Sequence, residues 1–285
     1  MAALACSAGP SHAEDGARLE IGVGARTIAP GEPLRVEVSS DIALESLESS
    51  FLGTSVYMTP LDDSGLRWTG WSMIGLDETP RTVTLEALGR TVDGRDASGT
   101  RSIVINSKDF PEENLSVAPK YVEPPKEVQE RLARERAKLK KIYARRERFA
   151  PPTEPFVRPV SGINTSVFGM RRLFNGKPRS PHPGLDLRAK TGTPVRASGP
   201  GRVVLAEELY YSGNIVILDH GGGLFTLYGH LSEIDVSEGT HAEAGDVLGK
   251  SGATGRVTGP HLHWGAKIGN RPFDPTALLD ARLFP

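Results

Sequence analysis

Glycine and proline divide this chain into many short segments. Its 285 residues include 32 Gly and 22 Pro, and 38% of the residues are hydrophobic. Between these breaks, apolar and polar side chains alternate along short runs, as they do in strands that bury one face. The pattern predicts a turn-rich, mainly β protein. At this length, two domains are the default expectation.

Residues 18–120 are predicted to form an immunoglobulin-like β-sandwich. Apolar and polar residues alternate along Leu34–Val38 and Val83–Ala87, with Gly and Asp turns between the alternating runs. Short strands at regular spacing are typical of such sandwiches. Trp68 and Trp71 are expected to pack in the core or at an edge, and stacking on a ligand is the alternative. The domain shows no catalytic grouping, so its role as a lid, a targeting module or a spacer is left open.

The first 17 residues are interpreted as the remnant of an export signal or as a disordered terminus. They contain small residues suited to cleavage near Ala13 and a poor lipobox that ends at Cys6, but neither the basic nor the apolar region of a whole signal. Cys6 is the single cysteine, so no disulfide can form within the chain and no zinc site can be rich in thiolates. The sequence contains no uninterrupted run of 18 apolar residues, so no transmembrane helix is predicted.

Charge is distributed unevenly along the chain. Residues 1–120 contain 10 Lys and Arg against 18 Asp and Glu, whereas the rest of the chain contains 24 against 17. No nucleic-acid-binding motif accompanies the basic half, so a nucleic-acid partner is not predicted. Oligomeric state is left open.

A basic linker helix is predicted within residues 121–150. Between Lys126 and Arg148 there are ten Lys and Arg and four Glu. Apolar residues recur among them at helical spacing: Val128, Leu132, Leu139, Ile142 and Tyr143. The helix is expected to pack this apolar stripe on a neighbouring domain, and contact with anionic lipid or a negatively charged cell-wall polymer is the alternative.

Residues 151–285 are predicted to form a second, antiparallel β domain with almost no helix. Glycine-rich turns separate its strand candidates, which are Thr193–Ala197, Arg202–Ala206, Asn214–Asp219, Leu224–Tyr228, Asp246–Lys250 and His261–Lys267. The hairpin around Gly221–Gly223 has the strongest signal. It would place His230 just past the end of a strand, on a rigid sheet.

Histidine and aspartate recur in this domain at spacings that suit a metal site. His261 and His263 are two residues apart on a strand candidate, so both project from one face. His182 and Asp186 are separated by Pro183 and Gly184 among others, which disfavour a helix and indicate convergence through a turn. Imidazole and carboxylate are usual ligands of a catalytic zinc, which takes three protein ligands and leaves one position for water. Two histidines would then remain for proton transfer.

The segment 161–275, about two fifths of the chain, resembles the zinc metallopeptidases of the lysostaphin/LytM type, the M23 peptidase family. The matching elements are Val167-Phe168-Gly169, His182-Pro-Gly-Leu-Asp186, Gly192-Thr-Pro-Val195, Gly213-Asn214, Tyr228-Gly-His230-Leu and Gly259-Pro-His261-Leu-His263. The resemblance implies an antiparallel β domain with its site in a groove, and peptidoglycan peptides as substrate. It also implies a zinc ion held by His182, Asp186 and His263, with His230 and His261 as the catalytic pair.

The predicted function is that of a zinc metalloendopeptidase, which hydrolyses peptide cross-links of bacterial peptidoglycan with a zinc-activated water. The alternative is a non-catalytic activator of another cell-wall hydrolase, which is less favoured because all five positions are filled. The protein is expected in the periplasm or outside the cell at the envelope, with lipid anchoring through Cys6 left open.

Four further points are not decided by the sequence. It does not say which of His230 and His261 is the general base, or which peptide bond is cut. Tyr228 either faces the groove or packs in the core. His12, His220 and His241 are assigned no role.

Overall fold

A computed structural model describes residues 17–115, 125–146, 151–174, 176–178 and 180–284. The predicted export or anchor segment, with Cys6 and His12, lies outside the described residues. The predicted domain limits at residues 120 and 150 also stay predictions, because residues 116–124 and 147–150 are not described. No helix in the described part is long and apolar enough to cross a membrane.

The N-terminal domain is built from eight strands in two facing layers. The strands are β1 Ala17–Gly24, β2 Pro33–Ser40, β3 Leu44–Phe51, β4 Thr54–Val56, β5 Met58–Pro60, β6 Arg67–Met73, β7 Arg81–Thr91 and β8 Asp96–Ile105. They follow the order β4-β3-β7-β8-β1-β2-β6-β5. Strand β1 joins the layers, because its first two residues pair with β8 and the others with β2. The mainly β prediction is confirmed, whereas the immunoglobulin-like type of this domain stays a prediction.

Alternation of apolar residues explains how these strands pack. Side chains from both layers, among them Leu34, Val36, Phe51 and Leu85, are almost completely buried in one core. Trp68 packs at the margin of this core, and Trp71 is 2% exposed. Both tryptophans therefore pack as expected, and Trp71 does so against the C-terminal domain, with its ring centroid 5.9 Å from that of Phe284.

Two elements connect the domains. Strand β9, Glu112–Leu115, and helix α1, Lys126–Tyr143, lie between them in the chain. The helix buries Leu132, Ile142 and Tyr143, and the last two pack in a cluster with residues of the C-terminal domain. Its polar side chains also contact that domain. Glu135 accepts a hydrogen bond from the Tyr210 N–H at 3.0 Å.

The C-terminal domain is an antiparallel sheet with a small side sheet. Its strands are β10 Asn164–Ser166, β11 Arg171–Phe174, β12 Lys177–Pro178, β13 Gly184–Arg188, β14 Pro194–Arg196, β15 Gly201–Leu209, β16 Gly213–Asp219, β17 Leu224–Ile234, β18 His241–Ala242, β19 Val247–Ser251, β20 His261–Ile268 and β21 Arg271–Phe273. Two short 3₁₀ helices follow, Pro275–Leu279 and Ala281–Leu283. The main order is β10-β13-β20-β17-β16-β15-β18, and the side sheet is β12-β11-β9.

One strand boundary differs from the prediction in a way that matters for the site. Strand β17 continues through His230 to Ile234 instead of ending at Tyr228. The pairing with β16 shifts between Tyr228 and Leu231, which face Val216 and Asn214. Three residues of β17 therefore span two residues of β16, which is a β-bulge. A bulge allowed the strand to continue where the sequence pattern indicated an end.

Candidate metal centre

A single row of paired residues crosses the main sheet. Ser166 on β10 faces Asp186 on β13, Asp186 faces His263 on β20, and His263 faces Gly229 on β17. Directly opposite side chains on one face of an antiparallel pair lie about 5 Å apart. The sheet register therefore brings Asp186 and His263 together, although 76 residues lie between them in the chain.

The opposite face of the same strands fixes this register. Leu185, Leu187, Leu262 and Trp264 alternate with the row residues, and each is at most 1% exposed. A slip of one residue would move these apolar side chains out of the core, so register is strongly specified here.

His182, Asp186 and His263 place three donor atoms around one point. Asp186 Oδ1 lies 3.1 Å from His182 Nε2 and 2.8 Å from His263 Nδ1. The two imidazole nitrogens are 3.2 Å apart. In a tetrahedral zinc site with bonds of about 2.1 Å, neighbouring ligand atoms are about 3.4 Å apart. The observed triangle is slightly smaller, and its two nitrogens and one carboxylate oxygen are the donor set of a catalytic zinc site.

The surroundings of His182 and Asp186 set the protonation state of each. The Nδ1 of His182 lies 3.0 Å from the Val167 carbonyl oxygen. A carbonyl only accepts, so the proton sits on Nδ1 and the Nε2 lone pair faces the site. Burial lowers the pKa of His182, which keeps the ring neutral. Burial opposes ionisation of Asp186, but the adjacent imidazoles of His182 and His263 outweigh it and hold the pKa of this carboxyl well below its usual range.

A glycine in the His182–Asp186 turn is needed for close packing. A Cβ built on Gly184 would lie 2.7 Å from Cε1 of His263 and 2.7 Å from the backbone oxygen of Trp264. Since Cβ atoms do not approach other atoms so closely, a larger residue at this position would displace the His263 ring or the strand beneath it.

His230 owes its direction to the β-bulge. Along β17, Tyr228 and Leu231 point into the core and are fully buried. Strict alternation from Tyr228 would point His230 into the core as well. Instead His230 has a φ of 64°, and its ring centroid lies 4.9 Å from that of His261 and 5.9 Å from that of His263. This left-handed backbone is uncommon for a residue with a side chain.

Backbone carbonyls orient His230 and His261. The Nδ1 of His230 lies 2.8 Å from the Thr254 carbonyl oxygen, and the Nδ1 of His261 lies 2.9 Å from that of Gly259. In each neutral ring the proton therefore sits on Nδ1 and the lone pair on Nε2. The Nε2 of His261 lies 3.7 Å from Asp186 Oδ1. Burial, followed by the charge of His263, lowers the pKa of His230 to about 3. Both rings can thus accept a proton beside the triangle.

Residues 180–275 match the family model Peptidase family M23. This part of the chain is an M23 peptidase domain. The resemblance inferred from the sequence is confirmed.

Known relatives match a little more than a third of the chain. Peptidoglycan DD-endopeptidase ShyA of Vibrio cholerae is 45% identical over 109 residues, which are 38% of this chain and 25% of ShyA. DD-carboxypeptidase/endopeptidase Mpg of Neisseria meningitidis is 43% identical over 97 residues, 34% of this chain and 22% of Mpg. The chain thus spans about a quarter of the length of the curated relatives it matches.

One solved structure is similar along most of the chain. A crystal structure from Pseudomonas aeruginosa, described as a peptidase M23, is 28% identical and superposes with a TM-score of 0.65. The match covers 90% of this chain and 96% of that one. The likeness therefore includes the N-terminal domain as well as the M23 domain.

The five site residues singled out in the sequence come together in the M23 domain, and their roles belong to the proposal below. Tyr228 does not join them. It is fully buried, and its hydroxyl accepts a hydrogen bond from the Ser198 N–H at 2.8 Å. Of the histidines without an assigned role, His220 is fully buried and His241 is exposed.

Tyr228 belongs to a buried polar chain of four residues. Its hydroxyl oxygen lies 2.6 Å from Ser198 Oγ and 2.9 Å from Thr226 Oγ1. Thr226 Oγ1 lies 2.7 Å from His220 Nε2. At the end of the chain, His220 Nδ1 donates to the Pro200 carbonyl oxygen at 2.6 Å. We call His220, Thr226, Tyr228 and Ser198 the buried polar chain.

Three residues of the M23 site were missed in the sequence: Ser166, Arg172 and Thr254. Ser166 Oγ lies 3.1 Å from His182 Nδ1, and Arg172 lies 3.2 Å from Asp186 Oδ2. The Thr254 carbonyl oxygen accepts the hydrogen bond from His230 Nδ1. Local spacing in the sequence gave no signal for any of the three, because each contact depends on strand pairing or on packing between turns.

Two interlocked turns hold the Thr254 contact in place. The His230 N–H donates to the Ser212 carbonyl oxygen at 2.8 Å. A Cβ on Gly213, beside Ser212, would overlap Thr254, and one on Gly255 would overlap Gly213. The turns that accept both hydrogen bonds from His230 therefore pack backbone against backbone, which requires glycine at both positions.

Residues that precede the linker pack against Gly169, whose backbone is hydrogen-bonded to His182. The Gly169 N–H donates to the His182 carbonyl oxygen at 2.9 Å. A Cβ on Gly169 would overlap the ring of Phe110 and lie 3.2 Å from Leu76. Both of these residues precede the linker, so the N-terminal part of the chain packs directly on the turn that carries His182.

Proposed function

We propose that this protein is a zinc metalloendopeptidase that hydrolyses peptide cross-links of bacterial peptidoglycan. The convergence of His182, Asp186 and His263 on one point, with His230 and His261 beside it, carries the proposal. The names of ShyA and Mpg support the substrate class, since both describe DD-endopeptidases. A location in the periplasm or outside the cell at the envelope is part of the same proposal, because the substrate lies there.

The metal would be held by His182 Nε2, Asp186 Oδ1 and His263 Nδ1, the atoms that form the triangle. When bound, zinc supplies Lewis acidity that makes water a stronger acid at neutral pH and polarises the carbonyl of a peptide bond. The ionised state of Asp186 and the neutral state of His182 are the protonation states that metal binding requires.

His230 and His261 supply proton transfer. Each holds its Nε2 lone pair toward the site because a backbone carbonyl fixes the proton on Nδ1. One ring can take a proton from the attacking water and return it to the departing amine. The other, in its imidazolium form with a second proton on Nε2, can donate a hydrogen bond to the oxygen on which negative charge develops, a contribution of typically about 3 kcal/mol.

Defined muropeptide dimers test this proposal directly. The purified protein should convert cross-linked dimers into monomers, as measured by mass spectrometry. A chelator should stop the conversion, and added zinc should restore it. The Asp186→Ala variant should bind no stoichiometric zinc and cleave nothing. A zinc-loaded wild type that cleaves no wall peptide would overturn the proposal. If that inert protein accelerated a second hydrolase, it would be an activator instead.

A comparison of pH profiles separates the two histidines. Wild type, His230→Gln and His261→Gln should be assayed across pH with the same dimer. Loss of the general base removes the fall in rate on the acidic side, whereas loss of a hydrogen-bond donor lowers the rate at every pH. If neither variant changed the rate, the assignment of this pair would be wrong.

A further inference from the structure

Arg172 contacts Ser166 and Asp186 at the candidate metal site. Its Nη2 lies 3.2 Å from Oδ2 of Asp186 and donates to Ser166 Oγ at 3.0 Å. Ser166 Oγ in turn lies 3.1 Å from Nδ1 of His182. One guanidinium group is thus connected to two of the three proposed ligands, directly to the carboxylate and through a hydroxyl to the imidazole.

The two oxygens of Asp186 have different partners. Oδ1 lies within 3.1 Å of both His182 Nε2 and His263 Nδ1, on the inner side of the triangle. Oδ2 is the oxygen that contacts Arg172. A carboxylate whose second oxygen is engaged in a charge-assisted hydrogen bond can offer only one oxygen to a metal ion.

The position of Arg172 is itself fixed. Its side chain is only 17% exposed. Strand β11, which carries it, is paired on one side with β12 and on the other with β9, where Arg172 faces Glu113. Pairing on both edges of the strand and the low exposure of the side chain therefore hold Arg172 in place beside Asp186.

We propose that Arg172 is a positioning residue that restricts Asp186 to a single coordinating oxygen. This keeps the number of protein donors at three, so that the metal retains room for water and for the substrate carbonyl. The inference rests on the proposed function in taking zinc as the resident ion.

Removal of Arg172 would have two opposite effects on zinc affinity, and this makes the proposal easy to test. A guanidinium near a dication repels it, so removal of the charge would tighten binding if repulsion were dominant. Loss of a hydrogen-bond partner of a metal ligand, in contrast, weakens metal binding by typically about 10–100-fold. The sign of the change in zinc affinity therefore decides between the two effects.

The experiment measures metal binding in three full-length variants. Arg172→Met removes the guanidinium and retains a long apolar side chain. Arg172→Lys keeps the charge and one donor. Arg171→Met is the matched control, because Arg171 is the neighbouring, exposed residue on the same strand, and the change in net charge is the same. Thermal melting of each metal-free protein shows whether it folds.

Zinc affinity is measured by competition with a chromophoric chelator, and coordination by the visible spectrum of the Co²⁺-loaded protein. Four-coordinate Co²⁺ absorbs several times more strongly than five- or six-coordinate Co²⁺. We expect about 10–100-fold weaker zinc binding in Arg172→Met, with a weaker cobalt spectrum. Arg172→Lys should be intermediate, and Arg171→Met should equal wild type.

Two outcomes would overturn the proposal. One is an Arg172→Met variant that binds zinc as tightly as wild type, or more tightly, with an unchanged cobalt spectrum. The other is an Arg171→Met variant with the same loss, which would indicate a general effect of charge. Neither measurement depends on turnover, so a failure of the proposed peptidase activity would be recognised separately, by the muropeptide assay.

Discussion

Two histidine-containing groups lie on opposite faces of one sheet, and their hydrogen bonds explain why they differ. In the buried polar chain, both ring nitrogens of His220 have partners inside the protein, Pro200 and Thr226. At the site, a carbonyl engages Nδ1 of His230, and Nε2 makes no hydrogen bond to a residue that the structure describes. A histidine with two internal partners stabilises the fold, whereas one with a single partner is oriented and still able to react.

Strand β17 carries both kinds of residue. Thr226 and Tyr228 follow strict alternation and face the core, where they extend the chain from His220. The bulge then turns His230 to the other face. The same strand therefore supplies two buried hydroxyls to the core and one imidazole to the site. The extra residue of the β-bulge lies between these two parts of the strand.

The largest expected effect is on turnover. His230→Asn should lower kcat for muropeptide cleavage by about 10²–10⁴-fold, because either proton transfer or the hydrogen bond to the developing oxyanion is lost. Asparagine tolerates the left-handed backbone, so the bulge is retained. Initial rates and zinc content by mass spectrometry check this. Zinc should remain stoichiometric.

The exposed His241 provides a control for this variant, because His241→Asn should have the wild-type rate. Full activity of His230→Asn would show that the face of the sheet does not determine which histidine reacts. Loss of zinc would make His230 a ligand.

The matching change in the buried polar chain should affect stability instead. His220→Ala removes the partner of Pro200 and of Thr226 and leaves a cavity, at a cost of about 2–4 kcal/mol in the free energy of unfolding. Denaturant titration of the metal-free protein measures it. At low temperature, the folded fraction should keep the wild-type kcat. A variant with normal stability and low turnover would contradict the structural role of His220.

A pH titration sharpens the comparison. Burial lowers the pKa of His220 from 6.5 to about 4. Below pH 6.5 the unfolded chain therefore binds more protons than the folded one, and the free energy of unfolding falls as the pH falls toward 4. A pKa difference of one corresponds to about 1.4 kcal/mol, so His220 accounts for roughly 3 kcal/mol of this loss.

The measurement uses metal-free protein with a chelator, so that loss of zinc does not contribute. His220→Gln should lose the His220 part of the pH dependence and retain the part from His230, whose pKa burial also lowers. Identical pH dependence in the variant and the wild type would show that His220 is not held neutral by burial.

The smallest expected effect comes from Tyr228→Phe. The Ser198 N–H and the Thr226 hydroxyl would lose a partner, which costs about 1–3 kcal/mol. Since Tyr228 is fully buried on the core face, kcat/KM for muropeptides should not change. A lower kcat/KM at normal stability would instead give this tyrosine a role in the groove.

The sequence predicted the parts of the site that depend on local spacing. His261 and His263 share a face because strand alternation is a property of neighbouring residues. His182 and Asp186 converge through a turn, which Pro183 and Gly184 predict. The direction of His230 could not be predicted, because the bulge depends on the register with Gly213–Asp219, which no pattern within β17 specifies.

Contacts between distant segments were also beyond the sequence. Arg172, which contacts Asp186, lies on β11, and β11 pairs with β9, a strand that follows the N-terminal domain. Phe110 packs on Gly169 across the same boundary. The N-terminal domain was identified as β-rich from its alternation, but its position behind the metal site follows from packing between domains.

An ion pair crosses the boundary between the two domains. Arg26 contacts both Glu32, which is 1% exposed, and Asp274 of the C-terminal domain, at 2.7 and 2.9 Å. Parting the domains would break the ion pair between Arg26 and Asp274, whose side chains are only 22% and 18% exposed. Calorimetry should consequently record one cooperative transition for both halves, and a weakened sandwich should lower the temperature at which the peptidase half is lost.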